Sequence, residues 1–218
     1  MNRAGVRVAV IDSGVHPDHP HVGGVWGGVG VDERGRAHAD FVDRLGHGTA
    51  VAAVIREKAP DAEIFAIKVF DRELAATSQA LVAACDLALE NGAHLVNMSL
   101  GTVNQAHEAA LMAAVRRLLS AEIKVIAAGQ QDGVRWLPGS LPGVWAVSLD
   151  WTLPREECQS STDASGARTF RASGYPRPIP GVPPERNLKG LSFAVANVTG
   201  WVAARYIRNE GHPSGFET

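Results

Sequence analysis

Three residues in the 218-residue chain have the types and settings that acyl transfer needs. The first is Ser192, which follows Gly190-Leu191 and opens an apolar run through Gly200. A hydroxyl in the first turn of a helix lies beside unpaired backbone N–H groups and the positive end of the helix dipole. Both favour negative charge on a reacting oxygen. Taken alone, a serine before a helix is more often an N-cap. Two upstream stretches turn the reading toward a nucleophile. Val8 to Gly14 is an apolar, β-branched run that delivers Asp12, as a buried parallel strand would, and functional groups collect where such strands end. Gly46-His47-Gly48-Thr49 sets a histidine between glycines at the start of an apolar helix, exposed as a base must be. In the order Asp12, His47, Ser192, a carboxylate can orient an imidazole, the imidazole can take a proton, and the hydroxyl can attack a carbonyl.

Holding such groups requires elements, and the hydrophobic pattern supplies them. Val6 to Ile11 reads as a first strand. The helix opened by His47 runs through Ile55 and closes near Ala59-Pro60, because proline cannot continue it. Glu63 to Phe70 reads as a second buried strand and Thr77 to Glu90 as a helix ended by Asn91-Gly92, with Leu81, Ala84, Cys85 and Ala88 on one face. A strand over His94 to Leu100, a helix over Gln105 to Ser120, a strand over Ile123 to Ala128 and a final helix from Ser192 to about Asn209 follow. Strands alternating with helices imply a parallel sheet, with the site at its carboxyl edge. Gly23 to Gly30 reads as a flexible loop near the site, since it lacks the strand-to-helix context of a phosphate loop. Asp150 to Lys189 is less regular, and the prolines between Gly174 and Pro184 predict an extended surface wrap.

Set side by side, these stretches resemble the subtilase family of subtilisin-like serine proteases. The resemblance rests on Asp12-Ser13-Gly14 with His16-Pro17-Asp18, on Gly46 to Thr49, on Asn97-Met98-Ser99-Leu100-Gly101, on Ala127-Ala128-Gly129, and on Leu137-Pro138-Gly139 through Val144-Trp145-Ala146-Val147. It implies an α/β fold of three layers, with a mainly parallel central sheet flanked by helices. It also implies a single peptidase domain over residues 1–218, of which 210–218 is expected to be a flexible tail. Asp12, His47 and Ser192 become the expected catalytic residues. Ser99, Leu100 and Gly101 become the expected strand for an extended substrate, and Ala127, Ala128 and Gly129 a second wall of the first specificity pocket.

The departures from the family pattern matter equally. Gln130 stands where the family has its oxyanion-hole asparagine, so Gln130 and Ser192 are the expected oxyanion donors. Leu191 replaces a hydroxyl residue beside the nucleophile, and Ala196 replaces the usual helix proline. The family's calcium-binding segments are missing or changed, so no metal and no cofactor is expected. The resemblance leaves two functions open, an intracellular narrow-specificity processing endopeptidase for a dedicated peptide or protein, and an attenuated pseudoprotease that binds an extended peptide segment or partner. In either case the trimmed core is expected to need self-association or an activating protein partner.

Composition narrows the classes. A chain with 45 % hydrophobic residues and a formal net charge of −2 can bury one substantial core and gives no reason to expect nucleic acid or a membrane surface as partner. No apolar run reaches bilayer length. Cys85 and Cys158 lack metal or redox spacing and read as independent thiols. Met1 to Gly5 leads directly into the first strand without a signal-type apolar region, so the expected location is the cytoplasm. A nucleotide-binding doubly wound protein is disfavoured, because no strand-linked phosphate loop is present.

Overall fold

The computed structural model describes residues 5–131 and 133–208, so the expected tail over 210–218 lies outside the described residues. In chain order the strands are β1 (Arg7–Asp12), β2 (Gly27–Val31), β3 (Ala37–His38), β4 (Glu63–Lys68), β5 (Leu95–Met98), β6 (Lys124–Ala128), β7 (Gln130–Gln131), β8 (Val134–Arg135), β9 (Trp145–Leu149), β10 (Cys158–Thr162) and β11 (Arg168–Ala172). The helices are α1 (His47–Lys58), α2 (Ser78–Glu90), α3 (Glu108–Ser120) and α4 (Leu191–Arg208). Nine strands form one sheet in the order β10-β11-β9-β6-β5-β1-β4-β2-β3. Its interior pairings are parallel, and the end pairs β10–β11 and β2–β3 are antiparallel.

The apolar runs are continuous because both sheet faces are covered. Val8 and Val10 of β1, Leu95 of β5 and Ile126 of β6 point into a layer built with α1 and α4. Their neighbours Ala9, Ile11, Val96 and Val125 point into a second layer with α2 and α3. Successive strand residues face opposite sides, so each must be apolar when helices lie on both. Cys85 packs fully buried in the second layer, and both cysteines are free thiols.

Two stretches differ from expectation. Residues 27–31 are not a loop but β2, paired in parallel with β4. Their glycines are required by close approach: a Cβ on Gly28 would lie 2.4 Å from the Phe41 ring. The missing side chains hide a strand from hydrophobic pattern. Within the less regular Asp150 to Lys189, β10 and β11 form a hairpin that ends the sheet. Its turn is closed by the Asp163 carboxylate, which accepts from the amides of Ser165 and Ala167. Gln159, Ser161 and Thr162 are exposed, so β10 carries little apolar signal. The expected helix over Gln105 to Ser120 begins as a 3-10 turn, Gln105–His107, and continues as α3.

Candidate active site

Asp12 is the last residue of β1, His47 the first of α1 and Ser192 the second of α4, so all three lie at the carboxyl edge of the sheet. The Asp12 side chain is fully buried, and its Oδ1 accepts from the Ser13 amide and meets His47 Nδ1, each at 2.7 Å. A carboxylate can only accept, so Nδ1 carries the proton and the neutral ring presents its lone pair at Nε2. Gly48 permits this approach. A Cβ there would lie 2.2 Å from the Gly14 carbonyl oxygen.

The start of α1 is organised by Asp43, a residue sequence reasoning did not single out. Gly46 takes φ of +83° and supplies no capping side chain. The buried Asp43 carboxylate instead accepts from the amides of Leu45, Gly46 and Thr49, from the Thr49 hydroxyl and from Ser13 Oγ. Ser13 Oγ in turn accepts from the Gly48 amide at 2.9 Å. Asp43 therefore satisfies orphan helix donors and ties α1 to the end of β1. The available sequence signal is a carboxylate placed three residues before the helix N-cap.

These charges set the titration of the site. Burial disfavours charge on His47, but the hydrogen bond and charge of Asp12, with the charge of Asp43 behind it, outweigh burial and hold its pKa above the ordinary 6.5. Burial likewise works against the Asp43 carboxylate. Hydrogen bonds from Thr49, Ser13 and Gly46 overcome it and keep that carboxyl below its ordinary 3.8.

Ser192 is half-buried, and its Oγ donates to the Ser99 carbonyl at 2.9 Å. The Ser99 hydroxyl lies 2.9 Å from both the Ser192 carbonyl and Asn97 Oδ1. Asn97 Nδ2 donates to Thr199 Oγ1 one level deeper. This buried polar ladder fixes α4 against the end of β5. Among the described residues no hydrogen bond joins Ser192 Oγ to His47, whose ring stacks at a tilt on Phe193 with centroids 5.6 Å apart. The N-cap role open to Ser192 is not the one its side chain takes, since it reaches across to β5. The Gly190 carbonyl accepts the first helical amides, those of Phe193 and Ala194.

The expected substrate segments fare differently. Leu100 and Gly101 carry no backbone hydrogen bond among the described residues, which leaves an open edge beyond Ser99. Ala127 and Ala128 lie inside the sheet, and the Gly129 amide and carbonyl are used by Val147 and Trp136. Gln130 is exposed at the start of the short β7–β8 hairpin, and its side-chain amide has no hydrogen-bond partner among the described residues. A cavity of about 630 Å³ opens beside it, lined by Ser148, Gln159 and Arg171 among others, on the sheet face away from α4.

A model of the subtilase family, peptidase S8, matches residues 3–166. The chain belongs to the subtilase family. That match takes in Asp12 and His47 and stops short of Ser192, which is joined to them by the fold. Among relatives, the minor extracellular protease Epr of Bacillus subtilis is 29 % identical over 181 residues, covering 78 % of this chain and 27 % of Epr. Among solved structures, a cold adapted subtilisin-like serine proteinase superposes with a TM-score of 0.72 at 24 % identity, covering 95 % of this chain and 77 % of that one. The prenylagaramide maturation protease PagA superposes with a TM-score of 0.68 at 25 % identity, covering 95 % and 78 %. The first curated relatives are longer proteins, of which this subtilase spans 27 % to 51 %. No helix among the described residues is long and apolar enough to cross a membrane.

Proposed function

We propose that this subtilase is a serine endopeptidase in which Asp12, His47 and Ser192 act as a catalytic triad. The observation that carries the reading is the 2.7 Å contact of His47 Nδ1 with a fully buried Asp12, at a sheet edge that also holds Ser192 at the first turn of α4. A peptide lies along the open edge at Leu100 and Gly101 as an added strand. A peptide N–H arriving at the Ser99 carbonyl competes with the Ser192 hydroxyl for that acceptor, and the displaced hydroxyl is free to turn its proton to His47 Nε2. Ser192 Oγ attacks the scissile carbonyl as His47 takes the proton, and Asp12 stabilises the imidazolium. His47 passes the proton to the leaving amine, and water hydrolyses the acyl-enzyme by the same relay. The Ser192 amide, without an acceptor among the described residues, and the Gln130 side chain are the oxyanion donors.

Likeness to a maturation protease supports a dedicated peptide or protein substrate. Two free thiols are in keeping with a reducing, intracellular setting. The second reading, a peptide-binding pseudoprotease, is favoured by the Ser192 proton resting on Ser99 and by the glutamine at position 130. Intact-mass labelling with a fluorophosphonate separates the two. Endopeptidase chemistry predicts a single adduct on the wild-type protein that disappears in Ser192→Ala and His47→Ala. A folded wild-type protein that takes no label overturns the endopeptidase reading of the isolated chain and favours the pseudoprotease or a protease that a partner must complete.

A further inference from the structure

We propose that Trp136 is the specificity-determining residue of the substrate channel, closing the space between the two walls so that only a small side chain fits ahead of the cleaved bond. The proposal rests on the endopeptidase reading above. A peptide paired along Leu100 and Gly101 directs one side chain into the gap between the end of β5 and the end of β6. Trp136 stands in that gap and is fixed from both sides. Its amide donates to the Gly129 carbonyl at 3.1 Å, on the β6 side. The next residue, Leu137, exchanges both backbone hydrogen bonds with Thr102, each at 2.9 Å, on the β5 side.

Between these anchors the side chain has little freedom to withdraw. The Trp136 Cβ and Cε3 lie 3.3 Å from where a Cβ on Gly101 would be. Glycine at 101 is thus the residue that lets the indole press against the substrate strand. Leu137 is fully buried, which holds the segment down, whereas Trp136 is only half-buried. Gln130 pairs with Arg135 and Gln131 with Val134, which ties the residue before Trp136 to the segment that leaves β6.

The test uses hexapeptides that differ only at the residue before the bond, which is Gly, Ala, Leu or Phe. Cleavage is followed by mass spectrometry in the wild-type, Trp136→Ala and Trp136→Phe proteins, and binding is measured in the Ser192→Ala background. The wild-type protein is expected to prefer Ala to Phe by tenfold or more in kcat/KM. In Trp136→Ala the Phe-to-Ala ratio rises at least tenfold, and in Trp136→Phe the ratio for Leu rises while Phe still lags. Dissociation constants in the Ser192→Ala proteins follow the same order. A wild-type preference for Phe, or an order that neither Trp136 variant alters, overturns the proposal. Binding in the expected order without cleavage upholds the pocket and removes the endopeptidase reading. Cleavage with an order indifferent to Trp136 does the reverse. Peptides that neither bind nor are cut remove both.

Discussion

At the scale of single residues, the site is a set of charges whose titration can be read directly. His47 is held above its ordinary pKa by Asp12 and, at longer range, by Asp43. A base must be neutral to accept a proton, so the acid limb of kcat/KM is expected above pH 6.5, the ordinary histidine value. Asp43→Asn removes one of the raising charges, so the His47 titration followed by NMR and the acid limb should both move to lower pH. The same change leaves an amide NH₂ facing a cluster of donors and should cost about 2 to 3 kcal/mol at neutral pH. The sign of its pH dependence follows from the lowered folded-state pKa of Asp43. Its contribution is present above the unfolded value and is lost as pH falls through the folded one, so the stabilities of the wild type and the Asp43→Asn variant converge in acid. If Gln130 donates to the oxyanion, Gln130→Ala should lower kcat by about 100-fold with a smaller change in KM, measured on a peptide cut by the wild-type protein.

At the scale of elements, α1 and α4 determine the distance between His47 and Ser192, the proposed base and nucleophile. They meet at Gly200, where a Cβ would lie 3.0 Å from Lys58 Cβ and 3.2 Å from Ile55 Cα. Alanine is the better helix former by about 1 kcal/mol, yet here it must push two helices apart, a packing cost of about 1 to 3 kcal/mol. Gly200→Ala is therefore expected to lower the melting temperature and, by shifting α4 against α1, to slow fluorophosphonate labelling of the folded protein. The ladder from Ser99 through Asn97 to Thr199 pins the other side of α4. Thr199→Val leaves a buried amide donor without its partner and should destabilise by about 1 to 3 kcal/mol in denaturant unfolding.

At the scale of the whole molecule, the site draws on one half of the fold. β1, α1 and α4 supply Asp12, His47 and Ser192, while α2 and α3 cover the opposite sheet face. Leu111 of α3 is fully buried in that far layer. Leu111→Ala should cost about 3 kcal/mol, seen in the melting temperature. The rate of fluorophosphonate labelling per folded molecule should remain that of the wild type, because α1 and α4, which carry His47 and Ser192, pack on the other face of the sheet.

What the sequence by itself determined was the set of candidate reactive residues and the alternation of elements that carries them. Asp12, His47 and Ser192 were legible because each is a polar residue at the boundary of an apolar run with glycine within two positions, and such a boundary marks an element end. The parallel sheet was legible because burial on both faces makes the strand interiors continuously apolar, with polar residues mostly at strand ends and Asn97 the exception in β5. The tertiary structure decided what depends on neighbours distant in sequence. β2 forms although it is rich in glycine, because the Phe41 and Phe65 rings occupy the space its side chains would fill. Asp43 gained its role from donors on α1 and β1 at once. Trp136 met Gly101 only because Leu137 pairs with Thr102. The proton of Ser192 went to the Ser99 carbonyl because α4 and β5 end side by side, a juxtaposition that no local pattern encodes.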